Sequence, residues 1–301
     1  FGLWISRSVE SDRMALPVRV GEIRLFGPAP QDGEEFDCAV RINEHDGRKV
    51  TGDFEVSRAG RVCYEVLDWE DRRFESDDVQ WPVIRHPESN CLSSAHPLIL
   101  NSAWISNPYT QTATRDYFAR RYLDSEALAE YREMNPKRQI DWLAGRVVAI
   151  DAVRRHLWAH GAGDLYPIEV QIRNDSEGRP FVSTHTGLHI SLAHSAGSAV
   201  AIVSADHPVG VDLEPVTSHP DTLLKVAFTD EDLAQLPADA DRDEWITRLW
   251  CAKEARAKQT GAGISQPKSL KITAVEAETV FVDETPVQTI RHDGWIIATT
   301  S

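Results

Sequence analysis

Leu249-Trp250-Cys251-Ala252-Lys253-Glu254-Ala255-Arg256-Ala257-Lys258 reads as one unbroken helix. Alanine and long unbranched side chains dominate it, and no glycine or proline intervenes before Gly261-Ala262-Gly263 closes it. Glu254 and Lys258 are four residues apart, which puts a carboxylate and an ammonium on one helix face. On an exposed helix such a pair contributes only about 0.2–0.5 kcal/mol. The stretch alone leaves that reading standing; three features upstream offer another.

The first is Gly210-Val211-Asp212-Leu213-Glu214, the start of a strand. Alternate residues of a strand point the same way, so Asp212 and Glu214 crowd one side. Two bare carboxylates about 4 Å apart repel by about 4 kcal/mol at an effective dielectric near 20. A hard divalent cation relieves that repulsion, and Mg²⁺ takes one or two carboxylates together with phosphate oxygens and water. Two charges in water at an exposed strand end are the alternative. The second feature is His194, which ends the short apolar strand His189-Ile190-Ser191-Leu192-Ala193-His194-Ser195, just before Ala196-Gly197. The third is a set of cations: Lys137-Arg138 ahead of a helix, Arg146 within it, and Arg179 between Gly178 and Pro180. In so acidic a chain these make either a local phosphate pocket or ordinary solvated surface.

Working outward, residues 116–134 and 139–158 carry apolar side chains at helical spacing. The first has a restart at Asp124-Ser125, and the second shows Ile140, Leu143, Val147 and Ile150 behind Pro136. Strands are expected over 168–172, 181–182, 189–192, 199–204 and 210–214, then helices over 221–228, 229–236 and 243–259. Three strands follow, at 270–275, 279–282 and 295–299. Helix followed by antiparallel strands thus occurs before and again after residue 205, an α+β composition.

Residues 17–75 are β-rich. Phe36, Cys38, Val40 and Ile42 fall on one face with Asp37 and Arg41 on the other, the alternation of a half-buried strand. Asp46-Gly47 and Ala59-Gly60 mark hairpin turns. Residues 76–114 lose periodicity between Pro82, Pro87, Pro97 and Pro108. They read as a connector packed on its neighbours through Trp81, Ile99, Leu100 and Trp104.

The bulk numbers narrow the function class. With 301 residues the chain calls for more than one core, and its 42% hydrophobic and 26% charged residues are those of a globular protein. A net charge of −15 excludes a general nucleic-acid binder, which needs a basic surface. No apolar run spans a bilayer and no signal-peptide pattern is present, so no membrane is expected as a partner. The four cysteines show no metal-binding spacing and suit a reducing cytoplasm. The chain opens at Phe1 within structured-looking sequence, so a longer parent protein is expected.

Taken in order, Gly178-Arg179-Pro180, His194-Ser195, Gly210-Val211-Asp212-Leu213-Glu214 and Trp250-Cys251-Ala252-Lys253-Glu254-Ala255-Arg256-Ala257-Lys258 resemble the motif set of the phosphopantetheinyl transferases. Trp142-Leu143-Ala144-Gly145-Arg146 is similar to the family's early helix motif. The resemblance covers residues 115–301 and is to the large single-chain, pseudo-dimeric type, which implies two similar α+β lobes at about 115–205 and 206–301. It implies Mg²⁺-dependent transfer of 4′-phosphopantetheine from coenzyme A to a serine of an acyl carrier protein domain, releasing 3′,5′-ADP. Asp212, Glu214 and Glu254 would hold the metal, and Asp212, Glu254 and Lys258 would carry the catalysis, with Glu254 the candidate base. Coenzyme A would be held by Lys258, Lys253, His194, Arg179, Lys137, Arg138 and Arg146. Two departures stand out: Ala193, where many members have Ser, and Ile150, where relatives often carry Lys.

The first 80 residues resemble the later half of a polyketide synthase dehydratase, a double hotdog fold. The likeness rests on Leu16-Pro17-Val18-Arg19-Val20, Gly27-Pro28, and Gly60-Arg61-Val62 running to Trp69 and Arg72-Arg73-Phe74. A dehydratase of that family pairs a His with an Asp from the other hotdog half; no such pair is found here, so dehydration by this segment alone is not expected. The expected organisation is a partial hotdog-like region at 1–80, a connector at 81–114 and the transferase at 115–301. It would act in the cytoplasm on the carrier domain of its own polyketide synthase. A catalytically degenerate coenzyme A-binding or scaffolding module is the alternative.

Overall fold

Turn chemistry organises the first part of the chain. Ala59 and Gly60 both have positive φ, 50° and 73°, the pattern of a two-residue hairpin turn that matches strand twist. Asp46 Oδ1 accepts the Arg48 and Lys49 amides at 2.7 Å each and closes the preceding hairpin. In the computed structural model, residues 13–27, 31–75, 79–106, 108–109, 112–238, 240–264 and 266–300 are described. Phe1 and Pro28 lie outside them, as does the side chain of Phe74.

The chain divides into two units, Phe1–Ile84 and Arg85–Ser301. The first holds strands β1 (Arg13–Arg19), β2 (Glu22–Leu25), β3 (Asp37–His45), β4 (Lys49–Arg58) and β5 (Arg61–Glu75). They form one antiparallel sheet in the order β1-β5-β4-β3, with β2 also on β5. Val50 and Val56 are its buried apolar residues, and Phe54 meets Trp69 edge-on at 5.4 Å. β3 departs from expectation: all nine of its residues are exposed, Val40 at 45% and Ile42 at 48%. Alternation decides which side a residue faces; an edge strand is buried only where another layer covers that side. Among the described residues, the one helix that reaches this unit is the six-residue α1 (Gln80–Arg85).

The second unit starts earlier than the motif-bearing sequence. Ser102–Ser106 forms β6, an outer strand of the sheet β6-β10-β9, so part of the expected connector belongs to the fold. A buried polar knot holds the segment before it. Arg154, 0% exposed, donates to the carbonyls of Asn90, Pro87 and Leu165, and pairs with Asp151 at 3.2 Å. Asp151 in turn accepts from the Ser93 hydroxyl at 2.8 Å and the Tyr122 hydroxyl at 3.1 Å. Every strong donor and acceptor in the knot is matched, which is the condition for burying it.

Helices α2 (Thr112–Tyr122), α3 (Ser125–Glu133) and α4 (Pro136–Ala159) follow. Asp124 caps α3 by accepting from the Ala127 amide, which makes the expected restart a true break. Asn135 caps α4 and Pro136 occupies its first turn, where a missing N–H costs nothing. α4 lies on the β6-β10-β9 sheet, whose β9 (His189–Ser195) and β10 (Ser198–Ser204) form a hairpin. The strand expected at 168–172 is displaced: Pro167–Glu169 is a 3-10 turn, and β7 (Ile172–Asn174) pairs β8 (Pro180–Val182).

The remainder repeats the plan. β11 (Val211–Pro215) edges a five-stranded antiparallel sheet, β11-β15-β14-β13-β12, completed by β12 (Ile272–Glu276), β13 (Thr279–Val282), β14 (Thr285–His292) and β15 (Trp295–Thr300). α5 (Asp221–Ala227) and α6 (Asp230–Leu233) lead to α7 (Arg242–Thr260), which packs on this sheet through Ile246, Leu249, Ala252 and Ala255. The edges β9 and β11 meet, with the Val211 amide donating to Ser191 Oγ at 3.0 Å. Val211 and Leu213 are buried in a core shared with Ala193, Val200 and Ile202. Gly210 lets β11 lie this close to α7: a Cβ there would fall 1.9 Å from the Ala255 carbonyl oxygen.

Candidate active site

Alternation along β11 sorts its first four residues by chemistry. Val211 and Leu213 enter the apolar core, and Asp212 turns to α7, where its Oδ1 accepts from Lys258 Nζ at 2.8 Å. Asp212 is 5% exposed, and its Oδ2 is buried with no hydrogen-bond partner. Glu214 accepts from Ser195 Oγ at 3.4 Å, which joins the β9 turn to the same group. Burial and then the Asp212 charge push the Glu214 carboxyl above its ordinary pKa. The same two causes push Glu254 up to about 7. Burial opposes the charge on Lys258, but Asp212 outweighs it and leaves that ammonium above its usual range. Asp212 therefore pairs with Lys258, and its charge together with burial opposes ionisation of the two other carboxyls, Glu214 and Glu254.

Glu254 and Lys258 line a cleft of about 620 Å³. Its opposite walls come from α4, β9 and the β7–β8 hairpin, and include Arg146, Arg179 and His194. Arg146 is 7% exposed and lies over the Trp142 ring at 4.8 Å, with Nη2 donating to Asn174 Oδ1 at 3.1 Å. Burial lowers its pKa, and among the described residues no carboxylate pairs with it. Such a buried, unpaired guanidinium is suited to an anion. Arg179 pairs with Glu177, and its guanidinium rests on Gly261, the left-handed C-cap of α7, where helix carbonyls favour a cation. His194 opens into the cleft; burial by the walls lowers its imidazole pKa, while Asp141 pulls it the other way.

The structure therefore brings together Asp212, Glu214, Glu254, Lys258, His194, Arg146 and Arg179. It does not bring in three other expected coenzyme A contacts. Lys253 is 0% exposed, with Nζ donating to Asp232 Oδ2 at 2.8 Å, Ala227 O at 2.9 Å and Pro267 O at 3.2 Å. One residue before Glu254 means about 100° around the helix, which turns Lys253 inward. Lys137 and Arg138 are exposed in the first turn of α4 and are not among the cleft-lining residues. Eight residues separate Arg138 from Arg146, about 12 Å along the axis. Asn174 was not singled out by the sequence, and Trp142 entered only as the first residue of the early helix motif; it stands four before Arg146, so helical spacing alone places it beside that cation.

The donor set fits a hard divalent ion. It is made of carboxylate oxygens, one of them buried and unpartnered, and two neighbours carry raised pKa values that a cation would relieve. Among the described residues, no group of three or more His, Cys, Asp or Glu side chains is placed so that it could hold a metal ion.

Comparison with known proteins matches the model of the 4'-phosphopantetheinyl transferase superfamily to residues 208–298. A holo-[acyl-carrier-protein] synthase of Streptococcus sanguinis (strain SK36) is 38% identical over 89 residues, 29% of this chain and 73% of that protein. The 4'-phosphopantetheinyl transferase psf-1 of Bacillus pumilus is 32% identical over 124 residues, 40% of this chain and 52% of its own length. The 4'-phosphopantetheinyl transferase AcpT of Salmonella typhi is 27% identical over 147 residues, covering 48% of this chain and 70% of that protein. The matched residues include β11 and α7, the two elements that carry Asp212, Glu214, Glu254 and Lys258. This chain belongs to the 4'-phosphopantetheinyl transferase superfamily.

Proposed function

We propose that this protein transfers 4′-phosphopantetheine from coenzyme A to a serine hydroxyl of an acyl carrier protein domain, releasing 3′,5′-ADP. The observation that carries the reading is the junction of two walls. Glu254 and Lys258, the latter paired with Asp212 behind it, share one cleft lining with Arg146, Arg179 and His194. The cationic wall binds the nucleotide phosphates, and Lys258 takes the pyrophosphate. Asp212, Glu214 and Glu254 hold Mg²⁺, which supplies charge neutralisation on the pyrophosphate oxygens when bound. The serine oxygen forms a bond to the phosphorus that bears pantetheine, and the bond from that phosphorus to the oxygen of 3′,5′-ADP breaks. Glu254 takes the serine proton directly or through a water.

The two helix-on-sheet halves are the two lobes of this enzyme, and the sheet of the first unit is the remnant of a dehydratase hotdog domain. The motif run from Leu16 to Phe74 supports the second assignment and, with it, the reading that the transferase serves a polyketide synthase and acts on that synthase's own carrier. Four free cysteines accord with the cytoplasm, and no described helix is long and apolar enough to cross a membrane. The test is incubation with coenzyme A, Mg²⁺ and an apo carrier. A carrier mass gain equal to phosphopantetheine is expected; no gain on any carrier that a control transferase modifies would overturn the proposal.

A further inference from the structure

His194 reaches the cleft from the last turn-forming stretch of β9, so its position depends on what holds the β9–β10 turn. Ser195 pairs Ser198, and the two residues between them, Ala196 and Gly197, have φ of 45° and 81°. In a turn of this kind the Gly197 amide has no partner inside the hairpin. Gly197 is buried, and its N–H donates instead to Asp141 Oδ1 at 2.9 Å. One helical turn further along α4, Gly145 faces the same hairpin: a Cβ there would lie 3.1 Å from His194 Cδ2 and 3.4 Å from Leu192 Cδ1. Asp141 and Gly145 are spaced i, i+4, so one face of α4 both ties the turn and sets how closely His194 approaches.

We propose that Asp141 is a positioning residue for His194, acting as the hydrogen-bond acceptor that fixes the Ala196-Gly197 turn. Gly145 is the gauge beside it. The effect on coenzyme A rests on the reading that His194 contacts the nucleotide phosphates.

The test uses the full chain and coenzyme A. Asp141→Ala weakens coenzyme A binding by about tenfold and raises KM more than it lowers kcat, whereas Asp141→Asn, which retains the acceptor oxygen, restores most of the affinity. In the double variant with His194→Ala, Asp141→Ala adds no further loss, because its effect runs through that ring. Gly145→Ala, which favours the helix, serves where Asp141→Ala folds poorly, and it also weakens binding. Amide exchange at Gly197 gives a readout independent of ligand: protection falls in Asp141→Ala and persists in Asp141→Asn. Additive losses in the double variant, an Asn variant as weak as the Ala variant, or unchanged Gly197 protection overturn the inference. A wild type that binds no coenzyme A overturns the role given to His194 and leaves the Gly197 exchange to decide the positioning.

Discussion

α4 and α7 are each a long helix lying on an antiparallel sheet, yet they bring different side chains to the cleft they line. α4 offers Arg146 over Trp142 and yields space at Gly145 for a neighbouring histidine. α7 offers Glu254 and Lys258 and yields space along its backbone for Gly210 of the acidic strand. A shared scaffold thus carries different side chains: the proposed phosphate contacts Arg146 and Arg179 lie on one side, and Glu254 with the Lys258–Asp212 pair on the other. A reaction at a pyrophosphate needs both parts at once, so the chemistry belongs to the seam.

The sharpest way to break this comparison is at Asp212. Asp212→Ala is expected to cut transfer about 10³-fold while the fold survives, because the carboxylate removed has a buried oxygen without a partner. Carrier mass gain at saturating Mg²⁺ reads it; wild-type transfer by this variant would overturn the role given to Asp212, and no transfer by either protein would favour the degenerate coenzyme A-binding or scaffolding module.

Lys253 should divide cleanly from Lys258 on the same helix. Lys253→Met leaves Asp232 buried and uncompensated, at a cost of about 3–5 kcal/mol in stability, measured by denaturant unfolding. The coenzyme A affinity of the folded fraction stays unchanged. Burial opposes ionisation of Asp232, but the Lys253 contact and two backbone amides overcome it and hold its pKa below the usual value. A carboxyl with a lowered folded pKa contributes stability above its unfolded value, about 3.9. That contribution is lost as pH falls through the folded value. Acid unfolding should therefore lose its Asp232-dependent part in Asp232→Asn.

On the other wall, Arg146→Ala should weaken coenzyme A binding by about 10–100-fold and leave the Mg²⁺ dependence of transfer where it was. Titration calorimetry with and without Mg²⁺ separates the two, and an altered metal dependence would end the division of labour. The smallest effect belongs to Lys137→Ala with Arg138→Ala. Both side chains are exposed away from the cleft lining, and the double variant should change binding by no more than about 0.5 kcal/mol.

Much of the second unit was legible because its signals are local. Helical spacing and the glycine stop marked α7, Asp124 marked the break between α2 and α3, and strand alternation put Asp212 opposite Leu213. Misses came where a local signal was weak or pointed elsewhere. β14 carries Pro286 at its second residue, which disguises a strand, and β6 is only five residues between prolines. β3 shows the converse, a clear alternation whose apolar face is exposed in the structure. Lys253 and Lys258 belong to one motif, and only the direction each takes around the helix separates a core ion pair from a cleft residue.

The sequence by itself determined which residue types recur at which spacing: a strand with two carboxylates, a helix with Glu254 and Lys258, and a histidine ahead of a glycine turn. Spacing along one element is local geometry, and local geometry follows from backbone periodicity. Only the tertiary structure decided which of these reach a common space. It raised Glu254 to about 7 by burying it near Asp212, left one Asp212 oxygen without a partner, and turned Lys253 inward. Burial and the distance between charges on different elements depend on how helices pack on sheets, and no single stretch of chain contains that information.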